Sequence, residues 1–477
     1  MTKIKKYIPY TVALALCLFV GFPAVSDSII MDEGYSILLV RKSVWDIIMG
    51  TAGDVHPPLY YLILKFFSLF TGESLLVYRI ATALATWLSL FFLGAVLINK
   101  RWGMRVSVFY MLWFGLTYAT IERSTVVRMY SWAAFFVTAA ALYLFFYYEN
   151  QSKKNLILAI LFTLGAMYTH YYALLAVFVC WALLFMVSLF QRRKTGPVLI
   201  GGVIVAVGYL PWLGILLGQF GDVAEDYWIK TFDWSKWGRV PAYLMESQGS
   251  AYSGIGMVLY VLLFMVLISA ILRKKWDALS AAAVFLGTML LAAVISVVVA
   301  PIWINRYMYV AWGVLALFVA ITVGEVISRY SKLVQGVFLV VLLLSGLYSF
   351  NTMMADETMN NTADEWVAFL KKNVDADACV IYDDPIENRL VYEYYLPEAK
   401  LVCVTKLRKN GLNDSLETLL EENQDKQIWY IINYRLERVG ADIIGAAMEE
   451  SGYSMKSEGS FVLKGKSIEV FRVEEAR

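Results

Sequence analysis

The chain is poor in charge. Asp, Glu, Lys and Arg together make up 17% of its 477 residues, and histidine occurs only twice, at His56 and His170. The formal net charge is +2. There is no basic domain and no nucleic-acid motif, which excludes a nucleic-acid partner. Cysteine is also scarce. Cys17, Cys180, Cys379 and Cys403 form none of the close pairs, such as C-x-x-C, that hold metals. Cys17 and Cys180 read as fillers in apolar runs. Cys379 and Cys403 lie in a polar tail, where two unpaired strand cysteines are preferred over a disulfide formed on export. No Gly-rich phosphate fingerprint opens a helical segment of the tail, which argues against a nucleotide site there. Internal repeats and low-complexity linkers are absent.

The chain is filled instead by apolar residues. They reach 60%, with a mean hydropathy of +0.61, against about 45–50% in ordinary soluble domains. Such a composition implies a polytopic α-helical membrane protein. A ~30 Å hydrocarbon core takes about 20 apolar residues to cross. By that measure about 11 transmembrane helices are expected, at 7–25, 76–98, 106–121, 129–148, 155–169, 171–190, 197–217, 254–272, 278–300, 307–325 and 333–350. The first follows Lys3, Lys5 and Lys6 and resembles a signal peptide. No small-x-small cleavage pattern follows it convincingly, so a retained helix is expected. The run 155–190 is too long for one crossing and is expected to fold back at Tyr168-Thr169-His170-Tyr171-Tyr172. The segment 57–71 reaches only ~22 Å and contains Lys65. It is expected at the outer surface or as a re-entrant element.

Charge agrees with this register. With the N-terminus cytoplasmic, the groups Lys100/Arg101/Arg105, Lys153/Lys154, Arg192/Arg193/Lys194, Arg273/Lys274/Lys275 and Arg329/Lys332 all fall inside, as the positive-inside rule requires. The expected protein is multi-pass in the plasma membrane. Its membrane domain covers 1–350, with a first outer loop at 26–75, and an extracytoplasmic α/β domain covers 351–477. In the tail, apolar runs at 378–382, 400–404 and 428–432 and a strand pair over 460–473 around Lys464-Gly465-Lys466 alternate with helical patterns at 362–373, 385–395, 413–422 and 436–450. That alternation implies a partly parallel sheet.

The polar motifs fall at the outer ends of the spans. Asp32-Glu33 follows the first helix and either marks a helix end in water or supplies a general base. Asp54 and His56 lie in the same loop. With Asp32 and Glu33 they are candidate ligands for a divalent metal ion, although two residues at i, i+2 are no metal signature. Arg123, Arg128 and Arg306 are either snorkelling anchors or a grip on a lipid-linked phosphate. Arg79 is expected as an interfacial anchor. Tyr130, Tyr171, Tyr172, Tyr307 and Tyr309 suit the interface first and ligand contact second. Asp222, Glu225, Asp226, Trp228, Trp234 and Trp237 in the loop 219–252 suit interfacial anchoring or sugar stacking.

Taken together, Asp32-Glu33-Gly34-Tyr35-Ser36, Asp54-Val55-His56-Pro57-Pro58-Leu59-Tyr60-Tyr61, Arg128-Met129-Tyr130, His170-Tyr171-Tyr172-Ala173-Leu174 and Arg306-Tyr307 resemble the GT-C membrane glycosyltransferases. The branch is the one holding protein O-mannosyltransferases and lipid A aminoarabinose transferases. The resemblance covers about residues 1–350. It implies a polyprenyl-phosphate sugar donor, an acceptor hydroxyl on a glycan, lipid or protein, and inversion at the sugar carbon. Asp32, with Glu33 beside it, would be the general base. Asp54, His56, Tyr60, Tyr61, Glu122, Arg128, Tyr130, His170, Tyr171, Arg306 and Tyr307 would bind substrate among the membrane lipids. Thr125 and Val126 stand where the family has Gln and Glu, and Glu122, one helical turn earlier, is the substitute. A transporter or flippase of lipid-linked sugars is the alternative. It would place polar residues near the membrane midplane, whereas here they cluster at helix ends.

Overall fold

The computed structural model describes residues 5–26, 29–225, 232–245, 254–355, 361–383, 389–409, 411–433, 439–463 and 466–476. Of the loop 219–252, Asp226 and Trp228 lie outside the described residues, as do Lys464 and Gly465 of the tail. The chain divides into two compact units. The first comprises residues 1–24 and 39–353, the second residues 25–38 and 354–477.

The described residues of the first unit form helices joined by turns, because hydrocarbon offers no partner for backbone N–H and C=O groups and a helix satisfies them internally. Among the described residues eight helices are long and apolar enough to cross a membrane: Ile8–Val25, Leu75–Gly115, Tyr130–Asn150, Tyr171–Phe190, Gly196–Gln219, Trp276–Val298, Asn305–Ile327 and Lys332–Met354. The protein is a polytopic α-helical membrane protein. Each expected span is helical over most of its length, but the two sets differ for local reasons. Leu75–Gly115 joins two expected spans, with a break inside it at Gly103 (φ 83°, ψ 172°). Lys153–Met167 has only 15 residues, and in Gly254–Leu272, a 19-residue helix, side chains are described only from Tyr260 onward. The expected span 106–121 is interrupted. Its helix stops at Gly115 and a new one, Tyr118–Thr125, carries Glu122 and Arg123. Leu59–Thr71 is a 13-residue helix, about 20 Å long and too short to span.

Burial sorts these helices into centre and rim. The spans Tyr130–Asn150 and Asn305–Ile327 are 78% buried, whereas Lys332–Met354 is 11% buried and presents Leu333, Val337 and Leu344 outward. Such a face is stable against lipid and would be a liability in water. Polar bonds lock the centre. Trp312 Nε1 donates to Thr117 Oγ1 (3.1 Å), Trp132 Nε1 to Ala81 O (3.0 Å), and Tyr60 shares a hydrogen bond with Thr82 (2.8 Å). Interhelical bonds of this kind contribute about 0.6–2 kcal/mol each. Arg79 is fully buried within Leu75–Leu88 and is therefore not the interfacial anchor expected from sequence.

The second unit is an α/β layer. Strands β1 (Cys379–Tyr382), β2 (Lys400–Cys403), β3 (Ile428–Asn433), β4 (Tyr453–Leu463) and β5 (Lys466–Glu475) lie in the order β2-β1-β3-β5-β4. β1 runs parallel to β2 and β3, and β5 is antiparallel to β3 and β4. β4 begins well before the expected position 460. Alternation along β1 feeds two cores. Cys379 and Ile381 pack with Leu416, Leu420 and Ile444, while Val380 and Tyr382 pack with Trp366, Leu370 and Tyr392. Cys403 joins the second core, on the face opposite Cys379. The two thiols cannot reach each other and both are free. Burial pushes Cys379 up to about 11, which keeps it protonated and inert. The segment ahead of the membrane loops belongs here too: Ile29 N donates to Tyr395 Oη (3.0 Å), and Gly34 lies against Leu390, whose carbonyl would be 3.1 Å from an added Cβ.

Gly313 shows how tightly the centre of the first unit packs. A Cβ there would collide with Thr138 Oγ1 and lie 3.3 Å from Thr138 Cβ, and the Thr138 hydroxyl is held by Ala134 O at 2.8 Å. Gly313→Ala should destabilise by about 1–3 kcal/mol, the range for overpacking. In detergent melts, Thr138→Ala should restore much of that loss when combined with it, a non-additive pair. Strict additivity would place the strain elsewhere.

Candidate functional site

Four breaks between apolar helices build the site in the first unit. The first is the turn from Gly53 to Pro58. Its far end is pinned where Leu59 N donates to Tyr168 O (3.0 Å). Its near end is gripped by Gln219, whose Nε2 donates to Thr51 O and Ala52 O at 3.0 Å each and to Asp54 O. Gln219 is oriented in turn by Tyr171, whose hydroxyl donates to Gln219 Oε1 and accepts from Trp212 Nε1 (3.0 Å). Asp54 Oδ2 lies 3.1 Å from His56 Nδ1.

The second break holds His170. It caps Tyr171–Phe190 in an extended conformation, and its Nδ1 accepts the Tyr172 amide at 3.0 Å. An acceptor nitrogen carries no hydrogen, so neutral His170 has its proton on Nε2. That Nε2 is buried with no hydrogen-bond partner among the described residues, and so is the hydroxyl of Tyr130. The third break is the turn before Tyr130. There Ser131 Oγ donates to Arg123 O (2.6 Å), and Arg123 lies beside Glu122 (3.1 Å), donates to Tyr243 Oη (2.7 Å) and sits 5.0 Å from the centre of the Tyr130 ring. The fourth is Asn305–Ala311, where Arg306 lies 5.5 Å from the centre of the Tyr307 ring.

Ring contacts join the four. The His170 ring centre is 4.9 Å from Tyr307, 5.7 Å from Tyr130, 6.0 Å from Tyr172 and 6.1 Å from His56. Arg128 is buried. Burial first, and then the charges of His56, Arg128 and Arg306, hold His170 well below its ordinary 6.5. The cluster therefore combines fixed cationic charge with neutral, unsatisfied donors. A buried donor without an acceptor is costly, and an oxygen-rich anion would supply what is missing.

Of the residues singled out from sequence, His56, Asp54, Glu122, Arg128, Tyr130, His170, Arg306 and Tyr307 are brought into this region. Tyr60 and Tyr61 are buried beside it in Leu59–Thr71, with ring centres 5.5 Å apart, and Tyr171 engages Gln219. Asp32 and Glu33 belong to the second unit. They lie in the first turn of Met31–Arg41, where Glu33 Oε2 accepts from Ile30 N (3.2 Å) and caps the helix. Among the described residues no group of three or more His, Cys, Asp or Glu side chains is placed to hold a metal ion. Gln219 and Tyr243 were missed from sequence. The signal for Gln219 was present: a lone amide closing a long apolar helix.

The fold is similar to that of two solved structures of ArnT. Across 97% of both chains it matches the crystal structure of ArnT from Cupriavidus metallidurans in the apo state, with a TM-score of 0.63 and 13% identity. It also matches ArnT from the same organism bound to undecaprenyl phosphate, with a TM-score of 0.58, 13% identity and the same coverage. No protein-family model matches the sequence, and no curated protein does.

The neutral state of His170 has a signed consequence. Below about pH 6.5 the unfolded chain takes up a proton that folded His170 resists. Stability from burying the neutral ring is complete above that pH. It falls as pH drops, by up to about 1.4 kcal/mol per unit. His170→Asn keeps an oxygen to accept the Tyr172 amide and removes the titration. Between about pH 7 and pH 5 its melting temperature in detergent should fall less than that of the wild type. Identical slopes would mean that His170 does not resist protonation.

Proposed function

We propose that the protein is a membrane glycosyltransferase that moves a sugar from a polyprenyl-phosphate donor to an acceptor hydroxyl on the outer face, with inversion. The observation that carries this reading is the buried cluster in which the unsatisfied donors of His170 and Tyr130 sit beside the charges of Arg128 and Arg306. A phosphate at the end of an apolar chain matches both the cations and the donors. The fold shared with an enzyme crystallised with undecaprenyl phosphate supports the same ligand class.

The donor is already activated, so the protein has to position it, take a proton and stabilise the leaving phosphate. The acceptor oxygen attacks the sugar carbon as the bond from that carbon to the phosphate oxygen breaks. The acceptor proton passes to Asp32, and the electron pair of the broken bond leaves on the phosphate, facing Arg128 and Arg306. Glu33, engaged at its own helix start, orients the helix that carries Asp32. About 11 crossings with a cytoplasmic N-terminus put the tail outside. A reporter fused to the C-terminus should be active only in the extracytoplasmic space, and a cytoplasmic tail would defeat the outward-facing assignment.

In purified enzyme, Arg128→Ala and Arg306→Ala should weaken binding of undecaprenyl phosphate, while Arg105→Ala, at an exposed position, should not. Asp32→Asn should leave donor binding intact and slow sugar transfer by about 10²–10⁴-fold, the usual contribution of a general base. Turnover of a polyprenyl-phosphate sugar in detergent micelles also separates the enzyme from a flippase, which has no two faces to connect there. Near-normal turnover by Asp32→Asn would move the base to Asp54 or Glu122.

A further inference from the structure

The same helices that carry the arginine–histidine cluster enclose a cavity at their other ends. Its volume is about 450 Å³, and it is lined by Leu142, Phe145, Cys180, Leu184, Val284 and Leu317, with Trp102, Tyr148, Gln191, Trp276 and Asp277 towards its polar end. The size falls within the ~300–1,000 Å³ of small-molecule sites. His170 caps one end of Tyr171–Phe190, and Gln191 at the cavity follows the other. The 20 residues between them rise roughly 30 Å.

Its mouth is cationic. The acids there are already engaged: Asp277 accepts from Trp102 Nε1 (2.7 Å), Glu149 pairs with Arg101 (2.6 Å), and Glu325 pairs with Lys275 (2.5 Å). Arg193 lies 4.0 Å from the centre of the Tyr148 ring and donates to Tyr148 O. Among the described residues it makes no ion pair. Arg192, Lys194, Arg273 and Lys274 are exposed on the two chain segments that flank Gln191 and Trp276. An apolar chamber in a membrane-spanning bundle with uncompensated cations at its mouth selects a molecule with one hydrocarbon chain to insert and an anionic head.

We propose that this cavity binds an anionic glycerophospholipid, with one acyl chain among Leu142, Cys180 and Leu184 and the headgroup phosphate on Arg193. The acyl chain alone cannot discriminate, since every surrounding lipid offers one, so selectivity rests on the mouth. The test is native mass spectrometry of the full chain in detergent, titrated with phosphatidylglycerol and with phosphatidylcholine of the same acyl chains. One phosphatidylglycerol should be retained with a preference of roughly fivefold or more, the scale of one basic contact to an anionic lipid. Arg193→Ala should erase the preference while leaving chain-driven binding, and Leu184→Trp should abolish both by filling the chamber. Should Leu184→Trp fail to fold, the wild type still answers. Phosphatidylglycerol should slow the labelling of Cys180 by an apolar thiol reagent, read on its peptide, more than phosphatidylcholine does. Equal retention of the two lipids, an unaltered preference in Arg193→Ala, or no protection of Cys180 would overturn the proposal. So would one-for-one displacement by undecaprenyl phosphate, which would make the cavity part of a polyprenyl path.

Discussion

Charge cannot be left without a partner in hydrocarbon, and the layout of the first unit follows from that constraint. Apolar helices fill the interior, and apart from buried groups such as Arg79 the polar chemistry gathers where they stop. Four such points, around His56, Arg128, His170 and Arg306, come together. His170 does two jobs there. Its Nδ1 completes the start of a helix, and that bond fixes the tautomer, which leaves Nε2–H as a donor inside the cluster. A structural requirement of the helix thus decides the chemical state of a group at the site.

Much of the helical frame was legible because apolar length is a strong signal. The fold-back at residues 168–172 was visible as a polar interruption in a run too long for one crossing. The break between Gly115 and Tyr118 was not, since Leu116 and Thr117 are compatible with a continuing helix; only the packing around Thr117, which receives the Trp312 indole, shows the chain turning there. Arg79 misled for a similar reason. One arginine in an apolar helix looks the same whether it reaches the interface or is enclosed. In the tail, short apolar runs placed strands β1, β2 and β3 closely, but the polar composition of β4, with Lys456, Ser457 and Glu458 in its middle, hid its first half.

The polar cluster was legible as a set of residues and not as a geometry. His56, Arg128, His170 and Arg306 stand out because polar residues at span ends are few. That His170 is a helix cap, and that Gln219 and Tyr171 brace the Asp54 loop, depends on contacts between residues far apart in sequence. The same limit applies to the segment that carries Asp32. It groups with the tail through Tyr395, 366 residues away, and no local pattern announces such a partner.

The mixture of fixed charge and neutral donors suits the proposed chemistry better than either alone. A polyprenyl-phosphate sugar is a phosphodiester with one negative charge, and the leaving polyprenyl phosphate is a monoester that carries more. Arginine charge therefore interacts more strongly as the bond breaks, which is the differential stabilisation that accelerates a reaction. The same charge also holds the product, and more cations would slow its release. Neutral donors such as His170 Nε2–H and the Tyr130 hydroxyl would orient the phosphate with much less dependence on its charge. Depressing the protonation of His170 by burial and by its arginine neighbours keeps one further cation out of the cluster. In the proposed reaction the electrostatics of the site would set a balance between bond breaking and product release, to which His170 would contribute by staying uncharged.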